Sequence, residues 1–217
     1  MTKRRGEGGA FHTDLAETCI GDPGGRDEAP DHRNACGDAA GNFYFSDLPK
    51  ATLYRVGAND SKPVAWLENG PKISGLKFGA DGKLYAATQG QGTNTAKKII
   101  VIDPQSKAIE EVATGVNPND LIVSKAGWIY FTDTGAGQVV AVPTRARGLS
   151  GPHPVAGGIN KPNGIGLTPD QHQLVVSEYG GTNAWTYLIS EDGTLKGGEK
   201  NLELRAPPTR ADSGGDG

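Results

Sequence analysis

Ser74, Asn119 and Asn163 are small polar residues that recur at one interval, each eight positions before a turn marker at Gly82, Gly127 or Gln171. Carboxamide and hydroxyl oxygens gathered at one point can hold a polar ligand, and oxygen donors suit a hard cation such as calcium. Asparagine and serine are also ordinary turn residues. Spacing alone leaves the functional and structural readings of Asn119 and Asn163 evenly matched.

The interval is set by a repeat. Asp38-Ala-Ala-Gly-Asn-Phe-Tyr-Phe-Ser-Asp47, Ala80-Asp-Gly-Lys-Leu-Tyr-Ala-Ala-Thr88 and Lys125-Ala-Gly-Trp-Ile-Tyr-Phe-Thr-Asp133 each join a turn to a β-branched or aromatic run. Pro169-Asp-Gln-His-Gln-Leu-Val-Val-Ser-Glu178 fits the pattern with Gln171 in the place of glycine. The markers Gly41, Gly82, Gly127 and Gln171 lie 41, 45 and 44 residues apart, which is the period of a four-stranded propeller blade. Short runs with small residues come before the turns, at Gly75–Phe78, Leu121–Val123 and Gly164–Leu167, and suit a crowded central channel where backbones approach closely. Apolar runs follow at Thr52–Val56, Lys98–Asp103, Gln138–Val142 and Ala184–Ile189, with outer strands expected at Pro63–Leu67 and Ile109–Ala113. The fold class read from this pattern is all-β: a β-propeller of about four blades over residues 38–217, an open sandwich being the alternative. In a propeller the shared phase carries Ser74, Asn119 and Asn163 to the same mouth of the channel.

Composition agrees with short strands and many turns. The 217 residues include 33 Gly and 14 Pro, so long helices are not expected. A formal net charge of −3 argues against a nucleic-acid surface. No apolar run is long enough to span a bilayer, and the charged start Met1-Thr2-Lys3-Arg4-Arg5 has no apolar segment behind it. Read as written, the chain carries no signal peptide and stays in the cytoplasm. Residues 1–37, with two Gly-Gly pairs, scattered charges and both cysteines (Cys19 and Cys36), read as an irregular or disordered leader. The two cysteines are taken as isolated thiols, with a disulfide as the alternative. His12, His32, His153 and His172 fall in leader and loops without metal-ligand spacing. Trp66, Trp128 and Trp185 are read as blade packing, and Glu178 and Tyr179 as solvated edge residues, with lining of the channel mouth as the alternative.

The Asn117-Pro-Asn-Asp120 segment, followed by Gly127-Trp-Ile-Tyr-Phe-Thr-Asp133 and then Lys161-Pro-Asn-Gly-Ile-Gly-Leu-Thr-Pro-Asp170, resembles the central blades of one family. That family comprises the gluconolactonases, senescence marker protein and luciferin-regenerating enzyme. The final Gly214-Gly-Asp-Gly217 is similar to the start of its next blade. The resemblance implies a six-bladed propeller with one divalent cation, most often calcium, held on the axis by a Glu, an Asn and an Asp. It implies hydrolysis of small lactones. On that basis Asn163 and Asp216 would be cation ligands, and Asp216 also the catalytic base. Asn119 would lie beside the cation or touch substrate, with Asp120 supporting it.

One ligand is out of place. The family's opening Glu falls, by the eight-residue phase, on Arg33, and a cation there would repel a metal ion at close range. Glu28, or Asp31, would need a shift of the loop to substitute. The fifth blade would begin only at the last residues, so a six-bladed ring would be left open, with apolar faces available for self-association. The expectation is therefore a metal-dependent lactonase-like hydrolase impaired in this chain, with weak or no calcium binding. The alternative is a non-catalytic propeller fragment, either a binding module or an inactive remnant.

Overall fold

In the computed structural model of the chain, residues 32–90, 95–144 and 151–204 are described. They form sixteen strands and no helix, so nothing among them is a helix long and apolar enough to cross a membrane. The strands make four antiparallel sheets of four. Blade one holds β1 (His32–Gly37), β2 (Phe43–Asp47), β3 (Thr52–Val56) and β4 (Val64–Leu67). Blade two holds β5 (Ile73–Phe78), β6 (Leu84–Thr88), β7 (Lys98–Ile102) and β8 (Ile109–Thr114). Blade three holds β9 (Leu121–Val123), β10 (Trp128–Asp133), β11 (Gln138–Pro143) and β12 (His153–Gly157). Blade four holds β13 (Pro162–Leu167), β14 (Gln173–Glu178), β15 (Asn183–Ile189) and β16 (Leu195–Glu203). Each sheet is a simple meander, the blade of a β-propeller.

The turn markers do what the repeat requires of them. Gly41, Gly82 and Gly127 take φ of 82°, 73° and 82°, a left-handed conformation that costs glycine nothing. Gln171 occupies the same region at φ 60°. There Asp170 accepts hydrogen bonds from Thr168 Oγ1 and the His172 amide at 2.6 and 3.1 Å. Asp38 closes the first turn, accepting from the amides of Ala40 and Asn42 at 3.0 and 2.8 Å. Side chains that bond the backbone two residues on favour turns over continued strand.

Alternation along the strands builds one core between each pair of successive blades. Leu84 and Ala86 of β6 pack toward blade one, with Tyr44, Leu53, Trp66 and Leu76. Their neighbours Tyr85 and Ala87 turn the other way, to Leu121, Ile129, Phe131 and Val140. On β10 the faces divide again, since Trp128 and Tyr130 pack with Ile165, Leu174, Val176 and Tyr187 of blade four. Each fully buried large apolar side chain contributes roughly 1.5–3 kcal/mol, so these three cores hold the blades together. Leu188 and Leu202, on the face of blade four turned away from blade three, are about half exposed.

The sheets begin earlier than the repeat placed them. β1 lies within the segment expected as leader, and its Cys36 is buried in the first core. Burial pushes the Cys36 thiol up to about 12, against the opposing pull of Lys77. Among the described residues it is unpaired. Residues 1–31, with Cys19, Glu28 and Asp31, lie outside the described residues. His153 stands on β12 rather than in a loop, edge-on to Trp128 at 5.9 Å. Strands β12 and β16 carried no signal of their own: the first contains Pro154 and the second is exposed along almost its whole length.

Candidate functional site

Register brings the phase-matched residues to equivalent places. In blade two Ile73 pairs with Thr88 and Leu76 with Ala86, so Ser74 and Gly75 together face Ala87. In blade four Pro162 pairs with Glu178 and Ile165 with Val176, leaving Asn163 and Gly164 against Ser177. In blade one His32 pairs with Asp47 and Ala35 with Phe45, leaving Arg33 and Asn34 against Ser46. In blade three Leu121 pairs with Phe131, while the Asn119 amide and the Asp120 carbonyl both bond Thr132. Every blade thus has one extra residue at the start of its innermost strand. Such a β-bulge bends the strand and re-aims a side chain. Arg33, Ser74, Asn119 and Asn163 are structural equivalents, in agreement with the spacing.

The two asparagines share an arrangement in which the backbone is bound and the side chain is left open. The Asn119 carbonyl accepts from Ser74 Oγ at 2.6 Å, and the neighbouring Pro118 carbonyl accepts from Gln89 Nε2 at 2.7 Å. The Asn163 carbonyl accepts from Thr132 Oγ1 at 2.7 Å, and the Pro162 carbonyl from Thr134 Oγ1 at 2.6 Å. Asn163 is only 7% exposed and Asn119 is half-buried. Among the described residues neither carboxamide has a hydrogen-bond partner. Neither carboxamide is sealed away from solvent, so both remain open to a ligand. Two such groups from adjacent blades fit an oxygen-liganded cation or a polar substrate.

Asp120 has a different surrounding. It is buried, its Oδ1 accepts from the Leu121 amide at 2.8 Å and its Oδ2 from the Ile165 amide at 3.4 Å. It therefore ties the innermost strands of blades three and four together at the level of the asparagines. The carboxylates expected as ligands, Glu28 and Asp216, are outside the described residues, as is the Gly214–Gly217 start of a fifth blade. The backbone of Arg33 is placed by β1, and no more is described of it. Among the described residues no three His, Cys, Asp or Glu side chains come together as a metal-binding group. The neutral asparagine oxygens are what these residues offer a cation.

Glu178 was expected at a solvated edge, and the structure corrects this. It is 1% exposed. Its carboxylate accepts from Trp185 Nε1 at 2.8 Å, Asn183 Nδ2 at 3.1 Å and the Asn160 amide at 3.3 Å, with Lys200 Nζ 3.5 Å away. Burial alone would raise its pKa, but the donors Trp185, Asn183 and Asn160 and the charge of Lys200 outweigh it and hold the group below its ordinary value. This network braces the loop from Asn160 into β13 that delivers Asn163. Lys161, at φ 51°, turns the chain there, and its carbonyl accepts from the Tyr179 amide at 2.9 Å. Tyr179 itself is 41% exposed. A separate cleft of about 360 Å³ on blade two, lined by Pro71, Thr88, Lys98 and Glu111 among others, includes neither asparagine.

Sequence reasoning overlooked Thr132, Thr134 and Gln89. A signal was present for the first, since Ser46 and Thr132 stand at the same distance after the turn markers Gly41 and Gly127, each followed by an aspartate, Asp47 or Asp133.

Comparison with known proteins gives a consistent answer. The family model described as the SMP-30/Gluconolactonase/LRE-like region matches residues 35–214. A gluconolactonase of Zymomonas mobilis subsp. mobilis is 28% identical, the match covering 70% of this chain and 51% of that protein. The chain therefore spans about half the length of that relative. A solved gluconolactonase of Xanthomonas campestris superposes with a TM-score of 0.65 at 21% identity, over 77% of this chain and 61% of that one. Kuenenia stuttgartiensis hydrazine synthase superposes with a TM-score of 0.58 at 16% identity, over 81% of this chain and 50% of that one. At such identities the two structures speak for the fold alone.

Proposed function

The chain belongs to the SMP-30/gluconolactonase/LRE-like family, and we propose on that premise that its site serves hydrolysis of a small lactone with one divalent cation, calcium by first choice. The observation that carries the proposal is the pair of unpartnered carboxamides, Asn119 and Asn163, at equivalent bulges of adjacent blades. Asn163, the more buried, would be the ligand, and Asn119 would meet the substrate or the cation's far side. Asp120, bound to the Leu121 and Ile165 amides, would hold the two strands in register. The cation, when bound, supplies polarisation of the lactone carbonyl. Asp216 is proposed as second ligand and proton acceptor, and Glu28 as a third ligand, both on the family resemblance.

A second reading is favoured by one observation. Arg33 occupies, by register, the position in blade one equivalent to Asn163, where the family resemblance calls for a carboxylate. A guanidinium cannot ligate a cation and weakens any held close to it. The chain would then bind a lactone or sugar without turning it over.

Calorimetric titration with calcium, together with lactone hydrolysis followed by acid release, separates the two. The lactonase reading expects saturable calcium binding and hydrolysis that a chelator abolishes, both lost in Asn163→Ala. Calcium-independent binding of the lactone without acid release would establish the second reading instead.

A further inference from the structure

We propose that Thr132 is a positioning residue that fixes Asn119 and Asn163 relative to each other, so that the two carboxamides act as one site; this rests on the lactonase-type reading above. Thr132 is fully buried on β10. Its carbonyl accepts from the Asn119 amide at 2.8 Å and its amide donates to the Asp120 carbonyl at 3.0 Å. Its hydroxyl accepts from the Asp120 amide at 3.2 Å and donates to the Asn163 carbonyl at 2.7 Å. One residue of blade three thus grips the bulge of its own innermost strand by the backbone and that of the next blade by the side chain. Ile129 and Phe131 face blade two and Tyr130 faces blade four, so strand alternation alone puts the Thr132 hydroxyl on the blade-four side.

The same task is met by different chemistry one blade earlier. Blade two has Ala87 where blade three has Thr132, and so has no hydroxyl at that position. There Ser74 on the innermost strand reaches forward to the Asn119 carbonyl, and Gln89 Nε2 bonds both Ser74 Oγ, at 2.6 Å, and the Pro118 carbonyl, at 2.7 Å. In blade three Thr134 adds the matching bond to the Pro162 carbonyl. At both junctions the carbonyl of the asparagine and that of the proline before it are held by the preceding blade. Packing between blades does not require either bond, because the apolar cores already supply it. What the bonds fix is the direction of the peptide that carries each carboxamide. Partners that orient a ligand in this way are commonly worth about 10–100-fold in cation affinity.

The test is calcium alone, titrated calorimetrically into the wild-type chain and into Thr132→Val, Thr132→Ser, Thr134→Val and Asn163→Ala, with melting of each variant in the absence of cation. Thr132→Val keeps the shape of the side chain and removes its hydroxyl. It should weaken calcium binding by about ten-fold or more, while Thr132→Ser, which keeps the hydroxyl, stays within about three-fold of wild type. Thr132→Val also leaves the Asp120 amide and the Asn163 carbonyl without this partner and lowers the cation-free melting temperature; a merely structural role shows as that drop with calcium affinity unchanged. If Thr132→Val does not fold, Thr134→Val carries the test, with a several-fold loss expected and unchanged affinity counting against the proposal. Calcium binding lost in Asn163→Ala but unchanged in Thr132→Val and Thr134→Val overturns the positioning role and leaves the lactonase reading standing. No saturable binding to the wild-type chain overturns both.

Discussion

At the scale of single residues, the site depends on a space as much as on any side chain. A Cβ on Gly75 would lie 2.8 Å from Asp120 Oδ1, 2.9 Å from Asp120 Cα and 3.0 Å from the Leu121 nitrogen. Two of those atoms are backbone and cannot swing aside. Gly75→Ala should therefore push Asp120 and Leu121 off the strand of blade two, at a cost of about 1–3 kcal/mol. Urea unfolding measures the cost, and wild-type stability in that variant would show that the strands have room to part. The placing of Asn119 and Asn163 was legible in the sequence because it depends only on counting residues from a turn. The roles of Gly75 and Thr132 were not, because they depend on which neighbouring blade each residue faces. Glu178 was misread for a related reason: its partners Asn160, Trp185 and Lys200 come from a loop and two other strands, and a single acidic residue after a strand gives no sign of them.

At the scale of elements, the hairpins are closed by carboxylates, and this makes the blades sensitive to acid. Asp170 is drawn down to about 2, first by the Thr168 hydroxyl and then by the His172 amide. Asp103 is lowered chiefly by the Ser106 amide and hydroxyl, and Asp192 chiefly by the Thr194 hydroxyl. Asp38 and Glu178 are lowered as well, their hydrogen bonds overcoming the opposing effect of burial. A carboxyl group held below its unfolded value stabilises the fold fully above that value, and the contribution is lost as pH falls through the folded one. With ordinary values of 3.8 for Asp and 4.5 for Glu, stability should be level above about pH 5 and fall steadily toward about pH 2. Urea midpoints measured across that range test this. A profile that stays level to about pH 3 would mean that these turns form equally well with protonated aspartates. The turns were readable beforehand from their Asp and Gly residues, as were the strands that alternate. β12 and β16 were not, since an exposed outer strand such as Leu195–Glu203 is defined by its partner β15 and not by an apolar pattern of its own.

At the scale of the whole described assembly, the site is built from residues of different blades, so ligand binding and blade packing are coupled. Asn119 and Asp120 belong to blade three and Asn163 to blade four, while Ser74 and Gln89 of blade two support the first of them. The core between blades two and three is continuous from Tyr85 to Val142, and that between three and four from Trp128 to Tyr187. The proposed cation would bind the asparagines only when these blades are correctly docked, and binding to the folded state alone would raise its stability by mass action. At a hundred times the dissociation constant the gain is about 2.7 kcal/mol. For a domain of this size that is a rise in melting temperature of about 5–10 °C. The shift should grow with the logarithm of calcium concentration, disappear in Asn163→Ala and shrink in Thr132→Val in proportion to its lost affinity. Asn163→Ala must keep the cation-free melting temperature of the wild type for the comparison to hold, and its exchanged side chain makes no hydrogen bond among the described residues whose loss would lower it. An equal shift in wild type and Asn163→Ala would place the bound calcium elsewhere on the blades and remove the carboxamide pair from the site.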